Sequence, residues 1–266
     1  MTRRDVVKTS TAAVAATQIG GIANARETSM AGGLKLRPAS KRGMADHGWL
    51  KSAHSFSFAS YFDPENMQFE TLRVINDDQV APGAGFPAHP HRDVEIFSYV
   101  LSGALEHKDS LGNGSVVKAG GIQYMSAGSG VRHSEFNPSS EEPVHFLQIW
   151  LLPDAEGGTP RYDTMDISDA DKDGKLKLFL SKDGRDGSMK IKTDADIYAS
   201  TLNDGQSFST QLSPGRKAWI QVAKGQLTVN GQVLTTGDGL AISEAGRIEF
   251  TQGRNAEFIY FDLESS

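Results

Sequence analysis

Short, strand-length apolar runs, each ended by glycine, asparagine, aspartate or proline, recur along the chain from residue 34 onward. The runs are rich in β-branched and aromatic residues, which favours strands over helices. No long stretch has the three-to-four-residue apolar spacing of an amphipathic helix. The pattern therefore predicts an all-β fold, as a sandwich or a barrel. The clearest runs are residues 68–76, 95–101, 115–118, 144–152, 218–223 and 257–262.

Two β-rich halves of similar size are separated by a polar, aspartate-rich stretch that contains several glycines and prolines. We expect an N-terminal domain over residues 34–160, a linker over 161–175 and a C-terminal domain over 176–266. Both halves repeat strand, glycine turn and strand, which favours an internal duplication. In the second half, Asn230-Gly231 stands between two strand-like runs and predicts a β-hairpin.

The composition excludes several classes of function. The 266-residue chain has a formal net charge of −6, whereas a large nucleic-acid footprint needs a basic face. It contains no cysteine, so disulfides, thiol nucleophiles and cysteine-ligated metal sites are excluded. No apolar run approaches the ~20 residues that span a bilayer. We therefore expect no nucleic-acid partner and no membrane span.

Residues 1–25 have the layout of an export signal peptide. Arg3-Arg4 precedes a weakly apolar stretch over residues 9–22, and Ala23-Asn24-Ala25 provides a small-x-small cleavage site. The paired arginines resemble the twin-arginine motif, whose route exports folded proteins, so a metal could be loaded before export. We expect a periplasmic or exported protein, or a cytoplasmic one if this segment is an unprocessed basic tail.

All seven histidines lie between residues 47 and 145. His89 and His91 are two residues apart, as are His133 and Glu135. In an extended strand such pairs face the same side, so each pair directs two side chains to one point. Either pair alone could be incidental. Together they predict a centre of three histidines and one glutamate for a divalent metal such as Fe²⁺, Mn²⁺, Ni²⁺ or Cu²⁺.

These segments also resemble known motifs. Residues 83–95, with the spacing G-x₅-H-x-H-x₃-E, are similar to the first cupin motif, and residues 130–137, G-x₂-H-x₃-N, are similar to the second. Several further stretches look like the signature sequences of pirins, in the same order, from about residue 34 to the C-terminus. They are HSFSFASYFDP (54–64), LRVIN (72–76), HPHRD (89–93), HSEFNPS (133–139), QIW (148–150), PRY (160–162) and DGRDGS (183–188).

The resemblance to pirins implies two cupin barrels in tandem, a bicupin, with one metal in the N-terminal barrel and none in the C-terminal barrel. Carried over position by position, the metal ligands are His89, His91, His133 and Glu135. Glu95 is not a ligand in this family and is a candidate to contact and orient the ligands without binding the metal itself. The implied cofactor is one divalent transition metal per chain, with Fe²⁺ preferred and Mn, Ni, Co or Cu as alternatives.

Some bacterial pirins are similar to quercetin 2,3-dioxygenase, which opens the central ring of flavonols with O₂ and releases carbon monoxide. The resemblance implies this activity here, with a flavonol or related phenolic and O₂ as substrates. Glu135 would then be both a metal ligand and the general base. The alternative is a non-enzymatic pirin whose metal oxidation state controls the binding of a protein partner. The export signal departs from the intracellular pattern expected of pirins.

Other candidate residues have weaker signals. His145 lies in a strand-like run and is expected either to pack or to support the ligands. His47 and His107 are expected on the surface. The aromatic stretch 54–62 is expected to pack in the core, with some members at the mouth of the pocket. Residues 169–174 begin like a calcium loop but lack the glutamate needed at its twelfth position, which favours a solvated linker.

Overall fold

The computed structural model describes residues 33–266, whose regular secondary structure is almost entirely β-strand, arranged in three sheets. The predicted export signal, residues 1–25, lies outside the described residues. None of the helices in the described part of the chain is long and apolar enough to cross a membrane. The elements are β1 (Leu34–Arg37), β2 (Gly43–Asp46), β3 (Leu50–His54), β4 (Leu72–Val80), β5 (Gly85–His91), β6 (Glu95–Ser102), β7 (Ala104–Asp109), β8 (Gly114–Lys118), β9 (Gly121–Ser126), β10 (Val131–Phe136), β11 (Val144–Leu151), β12 (Arg161–Asp166), α1 (Asp169–Lys172), β13 (Lys177–Ser181), β14 (Met189–Lys190), β15 (Ala195–Leu202), β16 (Phe208–Leu212), β17 (Arg216–Val229), β18 (Gln232–Thr235), β19 (Gly239–Ile242) and β20 (Gly246–Glu264), with 3₁₀ turns at Ala39–Lys41 and Arg185–Gly187.

The first barrel consists of two sheets that face each other. The larger sheet has seven strands in the order β12-β9-β6-β11-β4-β3-β2, and the smaller has four in the order β5-β10-β7-β8. Strand pairs in both sheets are antiparallel. As in any β-strand, successive side chains point alternately into and out of the barrel. The predicted all-β N-terminal barrel is confirmed.

One row of polar side chains crosses the interior of the first barrel. The strand register pairs His54 with Asn76, Asn76 with Gln148, Gln148 with Ser98, and Ser98 with Gln123. All five side chains are buried. Buried polar groups need hydrogen-bond partners. A row of them inside an otherwise apolar barrel therefore indicates where in the barrel a functional site lies.

The second barrel is a nine-stranded sheet in the order β1-β19-β17-β20-β15-β13-β14, with β16 paired to β20 and β18 paired to β17. Strands β17 and β20 are 14 and 19 residues long, and shifts of register between them let the sheet bend around its own core. Asn230 and Gly231 join β17 to β18 with φ angles of 45° and 81°, as a two-residue hairpin turn requires. The predicted hairpin is confirmed.

Two segments differ from the domain boundaries expected from the sequence. The first six residues of the predicted linker form β12, which pairs with β9 and covers the edge of the larger sheet of the first barrel. Strand β1, expected in the N-terminal domain, pairs with β19 of the second barrel. Its alternate side chains Leu34 and Leu36 pack against the apolar core of the second barrel, which explains why β1 belongs to that barrel.

The two barrels pack face to face through an apolar layer. Phe97 and Tyr99, on the outer face of β6, lie 5.5 and 6.3 Å from Phe179 between ring centroids. At one side of this layer, the buried Glu257 accepts hydrogen bonds from Tyr99 Oη and Lys172 Nζ, both at 2.7 Å. The second barrel therefore covers the outer face of the larger sheet, and the opposite face of that sheet lines the interior of the first barrel.

Candidate metal centre

Three histidines converge at one end of the pair β5 and β10. Strand pairing sets His89 directly opposite His133, and their Nε2 atoms are 3.1 Å apart. His91 completes the group, with ring centroids 4.7 Å from His89 and 4.9 Å from His133. Across residues 33–266, this is the one group of three or more potential ligand residues whose ligand atoms all lie within 4.8 Å of one another. The structure thus brings the three predicted histidines together.

The local sequence of β5 explains this arrangement. The strand lies at the edge of its sheet, where Pro87 and Pro90 are tolerated. Gly85 allows close approach to β10, because a Cβ there would lie 2.3 Å from the carbonyl oxygen of Glu135. His89 Nδ1 lies 2.8 Å from the carbonyl oxygen of Pro87 and must donate to it. The Nε2 atom of His89 is therefore the nitrogen left free to bind a metal.

The donor set fits a divalent transition metal. Burial, with a smaller effect from the neighbouring imidazoles, lowers the pKa of His133 to about 2 and that of His91 to about 4. Both rings are therefore neutral at pH 7, the form in which imidazole binds metals. A nitrogen lone pair of His89 faces His133 across 3.1 Å, an arrangement that a cation between the rings stabilises.

Glu135 lies two residues beyond His133 on the same inward face of β10 and is only 1% exposed. One carboxylate oxygen accepts a hydrogen bond from Gln148 Nε2 at 2.6 Å; the other accepts from Gln123 and from Ser98 Oγ at 3.2 Å. Burial raises the pKa of Glu135 to about 7 despite these donors. The carboxylate lies outside the group of three histidines, so its role as fourth ligand stays a prediction.

His107 was expected on the surface, and that expectation is wrong. The side chain is 1% exposed and points into the first barrel, where its Nδ1 lies 3.3 Å from His133 Nδ1. Its ring stacks on Tyr162 at 4.0 Å between centroids, and its Nε2 lies 3.4 Å from Asp109 Oδ2. The overlooked signal is the alternation of Leu105, His107 and Asp109 along β7, which sets all three on one face.

The two residues proposed to support the ligands lie elsewhere. Glu95 is buried but accepts hydrogen bonds from Tyr124, from Ser126 Oγ at 2.6 Å and from the backbone N–H of Lys192 at 3.1 Å. His145 Nε2 lies 2.6 Å from Asp77 Oδ1 at the outer face of β11. Neither residue has a hydrogen bond to a predicted ligand. In their place, Ser98, Gln123, Gln148 and His107 contact the predicted ligands.

Part of the predicted aromatic stretch is connected to the three histidines through Trp150. Trp150 packs edge-on against His91 at 4.9 Å between ring centroids, and Phe58 packs edge-on against Trp150 at 5.5 Å. His54 follows behind Phe58 at 5.4 Å, with its Nδ1 2.7 Å from Asn76 Oδ1. Trp150 and Phe58 are half-buried, so this aromatic wall extends from the metal centre toward the surface.

Comparison with known families gives two matches along the chain. Residues 35–151 match the family described as Pirin, and residues 178–263 match the one described as the quercetinase C-terminal cupin domain. The first match contains all four predicted ligands. The chain is also 42% identical to a pirin-like protein from Caulobacter vibrioides, over 85% of this chain and 97% of that relative.

Closely similar proteins carry an enzyme name or a bound metal. A protein named quercetin 2,3-dioxygenase from Escherichia coli strain K12 is 49% identical over 228 residues, covering 86% of this chain and 97% of that relative. The crystal structure of YhhW from Escherichia coli is similar with a TM-score of 0.84 and 47% identity, covering 88% of this chain and 98% of that one. The same bacterial pirin in complex with nickel(II) has a TM-score of 0.84 and is covered over its whole length. Identity of this extent shows that the chain belongs to the pirin family.

Proposed function

We propose that this protein is a metal-dependent dioxygenase of the quercetin 2,3-dioxygenase type, which opens the central ring of a flavonol with O₂. The observation that carries the proposal is the convergence of three imidazoles next to a buried carboxylate, from His89, His91, His133 and Glu135. Sites that take imidazole and carboxylate ligands and keep positions open suit substrate binding at a metal. The name of the Escherichia coli relative supports the same activity.

For the metal we propose Fe²⁺, with Mn, Ni, Co and Cu as alternatives that the same donors accept. The nickel(II) complex of the related pirin is consistent with this set. His89, His91 and His133 would hold the ion, with Glu135 as the proposed fourth ligand. When bound, the metal would act as a Lewis acid and lower the pKa of an enolisable hydroxyl group on the substrate.

Glu135 is the base in this proposal. Its carboxylate takes up the proton that the flavonol 3-hydroxyl releases, which an amide or an alcohol at this position could not do at neutral pH. Gln148, Gln123 and Ser98 orient the carboxylate by donating hydrogen bonds to it. Its burial keeps bulk water away from the proton being transferred.

The aromatic wall of Trp150 and Phe58 would bind the flat rings of the substrate. Trp150 contacts His91 directly, so a ring stacked on this wall lies beside the predicted ligands. Aromatic contacts stabilise such a ring through apolar burial and through edge or face packing. The wall therefore favours planar phenolics over flexible aliphatic substrates.

Oxygen uptake with quercetin tests the proposal. Metal-loaded protein should consume O₂ and quercetin together and release carbon monoxide, whereas metal-free protein and the His89→Ala/His133→Ala variant should not. Each of Fe, Mn, Ni, Co and Cu should be loaded in turn. Absence of uptake with all five metals would overturn the dioxygenase proposal and favour the non-enzymatic, partner-binding alternative.

We also propose that residues 1–25 direct the protein to the periplasm. Support comes from the sequence alone, through Arg3-Arg4 and the small-x-small site at residues 23–25. Replacing Arg3 and Arg4 together by lysine keeps the charge and should stop export, measured by cell fractionation. Unchanged export of that variant would refute the twin-arginine route.

A further inference from the structure

His107 lies behind His133, on the side away from the other two histidines. Its Nδ1 is 3.3 Å from His133 Nδ1, whereas His133 Nε2 is 3.1 Å from His89 Nε2. The two nitrogens of His133 therefore have different partners. Nε2 faces the group of three histidines, and Nδ1 faces His107.

The chemistry of imidazole decides which atoms donate and which accept between His133, His107 and Asp109. If His133 binds the metal through Nε2, its single proton is on Nδ1 and must be donated. The acceptor is His107 Nδ1, which leaves the proton of His107 on Nε2. That nitrogen lies 3.4 Å from Asp109 Oδ2, a carboxylate that accepts it. One arrangement of protons thus satisfies all three residues.

Neighbouring groups hold Asp109 and His107 in place. Asp109 also accepts hydrogen bonds from Asn113 Nδ2 at 2.8 Å and from the backbone N–H groups of Leu111 and Asn113 at 2.9 and 3.0 Å. The ring of His107 is stacked on Tyr162 with only 10° between the planes. Both His107 and the Asp109 side chain are 1% exposed, so water competes little for these hydrogen bonds.

We propose that Asp109 and His107 are positioning residues that fix His133 as an Nε2 metal ligand and increase its donor strength. His89 is oriented by a neutral backbone carbonyl, whereas His133 is oriented by a carboxylate acting through a second imidazole. Partners of this kind fix the tautomer and raise the basicity of a ligating histidine. The inference depends on the metal centre and does not require dioxygenase activity.

Two substitutions of His107 separate hydrogen bonding from packing. Phenylalanine keeps a flat ring against Tyr162 but cannot accept the proton of His133. Asparagine loses the ring but places its Oδ1 near the position of Nδ1, where it can accept that proton. His47→Asn, at an exposed histidine outside the site, is the matched control.

The affinity for Ni²⁺, measured by competition with a coloured chelator, is the first readout. We expect His107→Phe to weaken Ni²⁺ binding by roughly 10–100-fold, His107→Asn to weaken it less, and His47→Asn to leave it unchanged. Thermal unfolding of each metal-free variant shows whether it is folded. Wild-type Ni²⁺ affinity in a folded His107→Phe variant would overturn the proposal, as would equal losses in both His107 variants.

The second readout needs no substitution. In wild-type protein loaded with diamagnetic Zn²⁺, nitrogen NMR of the imidazoles reports which nitrogen of His133 binds the metal and which carries the proton. We expect metal at Nε2 and a strongly deshielded proton at Nδ1. Coordination through Nδ1, or an Nδ1 proton exposed to exchange with water, would contradict the proposal. Flavonol oxidation is not measured in either experiment, so failure here is distinct from failure of the proposed activity.

Discussion

His133 and Glu135 are neighbours on one face of β10 but have different surroundings. His133 faces other imidazoles, whereas the carboxylate of Glu135 is enclosed by Ser98, Gln123 and Gln148 from the opposite sheet. Neutral donors orient a carboxylate without neutralising its charge, so it remains able to take up a proton. Metal binding and proton transfer by Glu135 can therefore be separated by substitution.

Replacing Glu135 by glutamine should affect turnover more than metal binding. An amide oxygen still coordinates weakly, so part of the metal should remain, whereas an amide cannot accept the substrate proton. We expect flavonol oxidation per bound metal to fall by roughly 10²–10⁴-fold. Both quantities are measured on the same sample.

Glu95→Gln is the matched control for this substitution. Glu95 is equally buried, at 1% exposed, but its hydrogen bonds go to Tyr124, Ser126 and the backbone of Lys192. The rate per metal should remain that of the wild type. Equal rates per metal in the Glu135→Gln variant and the wild type would show that Glu135 is not the base.

The position of the three histidines could be predicted because the side-chain period of a strand is fixed by its backbone. His107 has the same period, between Leu105 and Asp109, with the charged residues Glu106 and Lys108 on the other face of β7. That period does not show what covers this face: the ring of His107 stacks on Tyr162, which comes from a strand far along the chain. No local pattern contains that contact.

At the scale of elements, the metal centre depends on how closely β5 approaches β10. Gly85 lies against the backbone of β10, and a Cβ there would be 2.3 Å from Glu135 O and 2.6 Å from Phe136 Cα. Backbone atoms cannot move aside as a flexible side chain can. Any larger residue at position 85 must therefore displace β5, the strand that carries His89 and His91.

Gly85→Ala should consequently weaken metal binding although it replaces none of the ligand residues. We expect a loss of Ni²⁺ affinity, because the productive geometry of such a site tolerates displacements of only about 0.5 Å. The control is Gly114→Ala in β8 of the same sheet, where an added Cβ meets atoms no closer than 3.5 Å. Chelator competition measures the Ni²⁺ affinity of both variants. Unchanged affinity in Gly85→Ala would contradict the claim that the metal centre depends on the close approach of β5 to β10.

Strands and the Asn230-Gly231 hairpin could be predicted because their signals are local. The two boundary differences, β1 and β12, could not. Each is an extended segment whose place is decided by which sheet edge is open to it, and that depends on the assembled barrels. The alternation of leucine with charged residues in β1 predicts that one face of the strand is buried, but it does not specify which barrel covers that face.

At the scale of the whole molecule, Glu257 connects the second barrel to the first barrel and to the connecting helix α1. Burial alone would raise the pKa of Glu257, but the ammonium of Lys172 and the hydroxyl of Tyr99 hold it below its ordinary value. Lys172 is itself 3% exposed. A buried ion pair of this kind is destabilising when only one partner is removed.

Glu257→Gln should therefore lower the free energy of unfolding at pH 7 by about 3–5 kcal/mol. It removes the nearer counterion of the buried Lys172, at 2.7 Å, and leaves only the fully exposed Asp169 at 3.6 Å. Since the folded-state pKa is depressed, the contribution of Glu257 is present above the ordinary carboxyl value of 4.5 and is lost as the pH falls through the folded-state value. The difference between variant and wild type should narrow in that acidic range.

Urea unfolding at a series of pH values measures this effect. The double variant Lys172→Met/Glu257→Gln is the control, because replacing both charges removes the unpaired ammonium and should restore much of the stability at pH 7. If the difference in the free energy of unfolding between Glu257→Gln and the wild type stayed constant from pH 7 to the acidic range, the charged Glu257 would not be the source of the stability.

The metal content of the purified chain tests the central claim most directly, namely that one metal is held in the first barrel by His89, His91 and His133. Elemental analysis of protein loaded with Fe²⁺ should give about one metal per chain for the wild type and for His47→Asn. The His89→Ala/His133→Ala variant should retain almost none. A value near two per chain, or metal retained by the double variant, would contradict the account.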